Sequence, residues 1–87
     1  MKSYIVIGLG RFGQAVARQL CQQGAEVLAI DTNPDLVHQV STDVTSAVVA
    51  DARDAEVLRA LGAQECDGAV VAIGDDLAGS VLATMNL

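Results

Sequence analysis

Three glycines near the N-terminus have the spacing of a phosphate-binding turn. Residues 5–13 read Ile-Val-Ile-Gly-Leu-Gly-Arg-Phe-Gly, an apolar run that leads directly into G-x-G-x-x-G. In this pattern Gly8 permits a tight turn, Gly10 lets a pyrophosphate approach the backbone, and Gly13 lets a helix pack closely on a strand. The start of that helix directs unpaired N–H groups at the phosphates. The pattern predicts a dinucleotide-binding loop; the alternative is a glycine-rich turn without a ligand.

An acidic residue stands at the end of the next apolar run. Asp31 follows Glu-Val-Leu-Ala-Ile at residues 26–30, at about the distance expected of a ribose-binding acid. Its carboxylate is placed to accept hydrogen bonds from the ribose 2′- and 3′-hydroxyls and would repel a 2′-phosphate. Thr32 follows and no arginine is near, so NADP is disfavoured, whereas NAD, ATP and ADP remain open. A solvated acid in a turn is the alternative interpretation.

Two side chains inside the glycine loop are further candidates for ligand contact. Arg11 could form charge-assisted hydrogen bonds to a phosphate, although backbone N–H groups already serve a pyrophosphate and a solvated arginine is the alternative. Phe12 is kept as a candidate contact, but its helical spacing with Val16 and Leu20 favours a core-facing position.

Two later segments extend the candidate site, because each follows a predicted strand at the same edge of the sheet. Asp51 and Ala52 come after the third strand, where their backbone could contact an adenine edge; an acidic loop that caps the next helix is the alternative. Ile73 and Gly74 come after the fourth strand, beyond the point where the strand order reverses. The predicted cofactor-binding residues are therefore Gly8, Gly10, Arg11, Phe12, Gly13, Asp31, Thr32, Asp51, Ala52, Ile73 and Gly74.

Groups that could catalyse a reaction are scarce. His38 is the single histidine, and it is predicted in a short helix away from the edge that carries the glycine loop. Cys21 and Cys66 show neither a histidine partner nor metal-ligand spacing, which is typical of reduced structural thiols. We therefore expect no catalytic residue and no metal site.

The composition excludes several classes of function. The 87 residues carry a net charge of −6, and Lys and Arg together number only 5, which argues against nucleic acid or an anionic membrane as a partner. No apolar stretch approaches the ~20 residues of a membrane span, and the N-terminus lacks a signal-peptide cleavage pattern. A cytoplasmic location without direct membrane insertion is expected.

Strand and helix patterns alternate along the chain and predict an α/β fold, a Rossmann-like doubly wound parallel sheet. Predicted strands cover residues 3–7, 26–30, 47–50 and 68–73, and helices cover residues 11–23 and 34–40 and the segments before Gly62 and after Gly74. Asn33 and Asp54 are predicted helix caps. The expected strand order is 3-2-1-4. A complete domain of this kind carries two more strands, so residues 1–87 are expected to be one domain, truncated after strand four and its helix.

The chain resembles the nucleotide-binding N-terminal lobe of the RCK or KTN (TrkA-N) family over nearly its whole length. The resemblance rests on Gly-Leu-Gly-Arg-Phe-Gly at 8–13, Val-Leu-Ala-Ile-Asp at 27–31, Val-Ala-Asp-Ala at 49–52 and Val-Val-Ala-Ile-Gly-Asp-Asp at 70–76. That family includes the peripheral subunits of Trk and Ktr potassium transport systems. Arg53 departs from it, since the family often has threonine there, and the family lobe continues past residue 87.

The resemblance implies a regulatory protein and not an enzyme. In such a family, NAD(H) or ATP/ADP rearranges the lobes of an oligomeric ring, which gates a membrane potassium channel or transporter. A transporter subunit is therefore the implied partner, reached from the cytoplasmic side of the membrane. A ligand can gate only if it binds two arrangements with different affinity, and a γ-phosphate near Arg11 is one group that could supply the difference.

Self-association is expected on separate grounds. The predicted last helix is rich in apolar residues, namely Val81, Leu82, Ala83, Met85 and Leu87. A domain this small, without two strands that would cover such a surface, gains stability by burial between copies. A dimer or larger ring is predicted, through this helix or a neighbouring helix face.

Two other classes of function fit parts of the sequence. The glycine motif followed by Gln-Ala-Val-Ala at residues 14–17 also resembles the cofactor half of NAD-dependent D-2-hydroxyacid dehydrogenases. Such an enzyme would need a substrate domain and a histidine–carboxylate pair that this sequence does not contain. A ligand-free assembly domain that keeps only the fold is the third possibility. Titration with NADH, ATP and ADP distinguishes the three.

Overall fold

The computed structural model describes residues 2–72, which contain a parallel sheet with helices between its strands. The strands are β1 (Ser3–Ile7), β2 (Glu26–Asp31), β3 (Ser46–Val49) and β4 (Gly68–Val71), and the helices are α1 (Arg11–Gln22), α2 (Pro34–Val40) and α3 (Ala55–Ala60). A 3-10 turn over Ala63–Glu65 leads from α3 to β4. Ile73, Gly74 and the predicted final helix lie outside the described residues.

The strands lie in the order β3-β2-β1-β4, and every pair is parallel. This confirms the predicted order and the Rossmann-like α/β fold. In the register of the sheet, Ile7 of β1 pairs with Ile30 of β2, and Asp31 pairs with Val49 of β3. The glycine loop, Asp31 and the segment after β3 therefore leave the sheet at one edge, side by side.

The main core lies between one face of the sheet and the first two helices. Its buried members are Val6, Leu9, Ala17, Val27, Ala29, Val37, Val40 and Val44. Leu28 and Val48 alternate with core residues along their strands and belong to the opposite face, where they line a groove with Leu61 at the end of α3.

Helix α1 approaches the sheet through small residues. Gly13 and Ala17 are its buried positions, whereas the Phe12 side chain is 40% exposed. The predicted core-facing position of Phe12 is wrong. Because α1 comes close enough for Gly13 to touch the loop after β1, a large side chain beside it is displaced to the flank of the helix.

The starts of α2 and α3 are capped as predicted. The Asn33 side-chain oxygen accepts a hydrogen bond from the Asp35 N–H at 2.9 Å, and the Asp54 carboxylate accepts one from the Glu56 N–H at 3.0 Å. Strand β3 begins one residue earlier than residues 47–50, a difference within the usual uncertainty of element ends.

Candidate functional site

The loop between β1 and α1 is held by two of its three glycines. Gly8 has φ +95°, a left-handed conformation that glycine adopts without strain, and its N–H donates to the Ile30 carbonyl at 2.9 Å. A Cβ on Gly13 would lie 1.7 Å from the Gly8 carbonyl oxygen and 3.5 Å from the Ala72 side chain. Gly8 is thus required by backbone conformation, and Gly13 by the packing of α1 against the loop.

Gly10 differs from the other two glycines of the loop. Its backbone has φ −68° and ψ −169°, an extended conformation open to any residue. It is the N-cap of α1, and it supplies no side-chain hydrogen bond to the helix. The first N–H groups of a helix have no intrahelical partner, and within residues 2–72 those of Arg11, Phe12 and Gly13 find no other acceptor. Helix α1 therefore begins with open donors.

Asp31 joins the glycine loop to the start of α2. One of its carboxylate oxygens (Oδ2) accepts from the Leu9 N–H at 2.7 Å, and the other (Oδ1) accepts from the Asn33 N–H at 2.9 Å. Its backbone carbonyl accepts from the Ala50 N–H at 3.1 Å. Since a carboxylate offers about four acceptor sites, each oxygen keeps one lone pair for a ligand. The residue is only partly buried, so a ligand can reach these lone pairs.

The segment after β3 carries an ion pair between Asp51 and Arg53. The Arg53 guanidinium contacts both carboxylate oxygens, with Nε at 3.0 Å from Oδ1 and Nη2 at 2.9 Å from Oδ2. The Arg53 backbone N–H also donates to Oδ1 at 2.9 Å. Mainly through the side-chain hydrogen bond, Arg53 lowers the pKa of Asp51 to about 2. Asp51 is therefore an ionised acceptor throughout the physiological range.

The remaining predicted contacts lie around this edge. Arg11 and Thr32 are exposed, and Ala52 is half-buried beside Asp51. Phe12 lines a shallow apolar groove along the flank of α1, together with Ala15, Val16, Gln19 and Leu20. Hydrogen bonds thus join the glycine loop to Asp31 through Leu9, and Asp31 to the Asp51 segment through Ala50, whereas the Phe12 side chain lies in the groove along α1.

Sequence reasoning missed two residues that shape the site. Leu9 is fully buried, and its N–H is the group that holds Asp31. Gln14 donates from its side-chain amide to the Leu9 carbonyl at 3.0 Å and to the Gln39 side chain at 2.9 Å. The Leu9 peptide is therefore fixed on both sides. The sequence did offer a signal for Gln14, since a glutamine directly after the last glycine of the motif lies on the first turn of the predicted helix, within reach of the loop.

The part of the chain that the structure describes offers few other reactive groups. His38 is exposed in the last turn of α2. Among these residues no three His, Cys, Asp or Glu side chains are grouped so that they could hold a metal ion. No described helix is long and apolar enough to span a membrane.

Comparison with known proteins identifies the family. The model of the TrkA-N domain matches residues 4–87. The chain is 40% identical over 86 residues to the Ktr system potassium uptake protein C of Bacillus subtilis (strain 168). It is 42% identical over 84 residues to the Ktr system potassium uptake protein A of Vibrio alginolyticus, and 30% identical over 80 residues to the Trk system potassium uptake protein TrkA of Mycobacterium tuberculosis (strain H37Rv).

These matches cover nearly all of this chain and a smaller part of each relative. The alignments take in 99%, 97% and 92% of the chain, but only 39%, 38% and 36% of the respective relatives. The matched residues 4–87 include the glycine loop, Asp31 and the segment after β3. On this match and the similarity to the Ktr and Trk proteins, the chain belongs to the TrkA-N domain family.

Proposed function

We propose that the chain binds an adenine nucleotide, NAD(H) or ATP/ADP and not NADP, at the carboxyl edge of its sheet. The observation that carries the proposal is the contrast among the loop glycines. Gly8 has a left-handed backbone and Gly13 lies against the Gly8 carbonyl oxygen, whereas the backbone conformation of Gly10 does not by itself require glycine. The close approach of a phosphate gives a reason for a residue without a side chain at that position.

The start of α1 supports a site for the phosphates. The open N–H groups of Arg11, Phe12 and Gly13 combine with the positive end of the helix dipole, an arrangement that binds anions. The exposed Arg11 side chain adds a mobile positive charge at the same place. In this proposal the backbone binds the first phosphates, and Arg11 responds to a further phosphate such as the γ-phosphate of ATP.

The arrangement of Asp31 supports recognition of an unmodified ribose. Its two oxygens are already oriented by the N–H groups of Leu9 and Asn33, and each retains a lone pair for one ribose hydroxyl. A 2′-phosphate would bring negative charge against this carboxylate, so NADP and NADPH are expected to bind poorly.

The proposed role of binding is regulation of potassium transport. The relatives are potassium uptake proteins of Ktr and Trk systems. We infer a membrane channel or transporter subunit as the partner, approached from the cytoplasm, and self-association as a dimer or larger ring. The nucleotide would act by binding two arrangements of the assembly with different affinity. No turnover is proposed, because in the described residues the only histidine is exposed on α2 and no acid–base pair lies at the glycine loop.

Calorimetric titration of the full chain with ATP, ADP, NADH and NADPH tests the binding proposal. The variant Gly10→Val places a side chain in the path of the pyrophosphate, and we expect affinity for the preferred nucleotide to fall by about 2–3 kcal/mol, the scale of hydrogen bonds to a charged group. Ala15→Val is the matched control, because it places the same valine side chain at an exposed position further along α1.

Circular dichroism is the check that both variants are folded. If folded Gly10→Val binds ATP and NADH as tightly as the parent, the phosphates do not pass this residue and the proposal is wrong. NADH oxidation in the presence of a keto acid, abolished by the same variant, would replace the regulatory role with an enzymatic one.

A further inference from the structure

The ion pair after β3 has a geometry that its contribution to stability does not explain. The Arg53 side chain is 86% exposed and the Asp51 side chain 43% exposed, and ion pairs in such positions add little to the stability of a fold. Nevertheless both oxygens of the carboxylate are bound by the planar guanidinium, at 3.0 and 2.9 Å. A contact of this kind fixes the orientation of a carboxylate more strictly than a single hydrogen bond does.

The donors around Asp51 leave the carboxylate nearly but not completely filled. Oδ1 accepts from the Arg53 N–H and from Nε, and Oδ2 accepts from Nη2. A carboxylate has about four acceptor sites, so one remains, on Oδ2. The carboxylate is therefore prepared to accept one additional N–H or O–H donor from a molecule at this edge of the sheet.

The position of Asp51 indicates which part of a nucleotide would supply that donor. The glycine loop follows β1, Asp31 follows β2 and Asp51 lies just beyond β3, in the spatial order β1, β2, β3. The Ala50 N–H ties this segment directly to the carbonyl of Asp31, at 3.1 Å. A nucleotide with its phosphates at the glycine loop and its ribose at Asp31 would extend its base towards Asp51.

We infer that Arg53 is a positioning residue, which holds the Asp51 carboxylate as an acceptor for the exocyclic amino group of the base and makes the site selective for 6-aminopurines over 6-oxopurines. This inference rests on the proposed nucleotide-binding function. Adenine offers an N–H donor at its 6-position, whereas hypoxanthine presents a carbonyl oxygen that a carboxylate repels.

The guanidinium supports this selectivity by orienting the carboxylate. Without it, Asp51 keeps only the hydrogen bond from the Arg53 backbone N–H to Oδ1, so Oδ2 is no longer held and ordering it on binding costs conformational entropy. The acid is ionised at neutral pH with or without the guanidinium, because its ordinary pKa is already 3.8, so the role of Arg53 is orientation. A site built to pair with a donor discriminates strongly against an analogue that lacks it.

The test measures affinities of the full chain for ATP and for inosine triphosphate, which differ at the 6-position of the purine. The quantity of interest is the ratio of the two dissociation constants, in parent, Arg53→Gln, Arg53→Lys and Asp51→Asn. We expect the preference for ATP to fall by about three- to tenfold in Arg53→Gln, which lies within the net range of one typical hydrogen bond, because the carboxylate itself is still present. Arg53→Lys keeps the charge without the two-pronged contact and is expected to lie between parent and Arg53→Gln.

Arg59→Gln is the matched control, because it removes the same charge from exposed surface on the neighbouring helix α3 and forms no ion pair among residues 2–72. It is expected to keep the parental ratio. Asp51→Asn places an amide that can donate to a carbonyl, and it is expected to reduce the ratio at least as far as Arg53→Gln.

The outcomes distinguish failure of this inference from failure of the proposed nucleotide binding. A parent that binds ATP, with an equal ratio in folded Arg53→Gln and Arg59→Gln, overturns the role of Arg53 alone. Equal loss of affinity for both nucleotides in Arg53→Gln also overturns it, because that is the signature of a merely structural residue. A parent that binds neither ATP nor NADH overturns both.

Discussion

The first helix begins differently from the two that follow it. At α2 and α3 the side chains of Asn33 and Asp54 accept hydrogen bonds from N–H groups of the first turn, at 2.9 and 3.0 Å. At α1 the corresponding residue is Gly10, which has no side chain, and no side-chain hydrogen bond closes the helix. All three helices present the same backbone donors, yet among the α-helices in residues 2–72 only α1 begins without a side-chain acceptor for them.

The difference shows that a helix can begin either with a side-chain cap or with free N–H groups. A polar side chain at the N-cap occupies the place that an anion would take, and it stabilises the helix within the chain itself. Its absence at α1 costs that stabilisation, and α1 is instead tied to the sheet by the contact of Gly13 with Gly8. The loop before α1 therefore depends on packing where the other helix starts depend on caps.

The largest expected effect is on that packing. Gly13→Ala places a Cβ 1.7 Å from the Gly8 carbonyl oxygen, so α1 has to move off the loop. We expect the free energy of unfolding to fall by about 3 kcal/mol, the upper part of the range for overpacked sites, as measured by urea denaturation. Gly10→Ala is the control, because its extended backbone accepts alanine, and it should stay within about 1 kcal/mol of the parent. Equal stability of the two variants would contradict the assigned role of Gly13.

The next effect is on ligand affinity at the open helix start. Asp31→Ala removes the carboxylate beside the loop, and we expect nucleotide binding to weaken by about 1.5–3 kcal/mol, measured by calorimetry. Asp35→Ala is the control, an exposed acid in the first turn of α2 with the same charge. An unchanged affinity in Asp31→Ala, or tight binding of NADPH by the parent, would show that ribose is not bound here.

A smaller effect is expected at the capped helices. Asn33→Ala and Asp54→Ala each remove one side-chain acceptor, and each should lower the free energy of unfolding by about 1 kcal/mol. Thermal or urea denaturation measures the loss. Asp54→Ala removes only the acceptor for the Glu56 N–H and keeps the backbone hydrogen bond from residue 54 to the Asp51 carbonyl, so it is expected to leave ATP affinity unchanged. If the ATP affinity of Asp54→Ala fell as far as that of Gly10→Val, the absence of a side-chain cap at α1 would not explain binding.

The smallest effect concerns Asp51, the acid whose negative charge is paired with Arg53. The Arg53 hydrogen bonds lower the pKa of Asp51 from 3.8 to about 2. Because the folded pKa lies below the ordinary value, the stabilisation is present above pH 3.8 and is lost as the pH falls towards 2. Carboxyl NMR titration should find the Asp51 pKa near 2 in the parent and higher in Arg53→Gln. Coincident titration curves in the two proteins would rule out the ion pair in solution.

Much of the fold could be predicted because its signals are local. Alternating strand and helix patterns were sufficient for the order β3-β2-β1-β4, and Asn33 before proline was sufficient for the start of α2. The carboxyl edge could be predicted to collect the candidate residues because parallel strands end together. Whether these residues bind a nucleotide stays a prediction.

Other features could not be predicted because they depend on distances between elements. Periodicity placed Phe12 on one helical face with Val16 and Leu20, which do pack against the core, but it did not reveal that Phe12 itself is exposed where Gly13 brings α1 close to the loop after β1. The hydrogen bond from Leu9 to Asp31 joins residues far apart in sequence. The ion pair between Arg53 and Asp51 depends on which rotamer the exposed Arg53 side chain adopts, and the residue type alone does not determine that rotamer.

The hydrogen bonds to the N–H and the carbonyl of Leu9 limit how far the glycine loop can move. Asp31 binds its N–H and Gln14 its carbonyl, while Gly8 is bonded to Ile30. A loop fixed at so many points is preorganised, so a ligand spends little of its binding energy on ordering it. The same fixation means that the loop itself is a poor moving part. If the ligand changes the position of a neighbouring molecule, the change would have to begin at groups around the loop that the ligand displaces or attracts, such as the exposed side chains of Arg11 and Arg53.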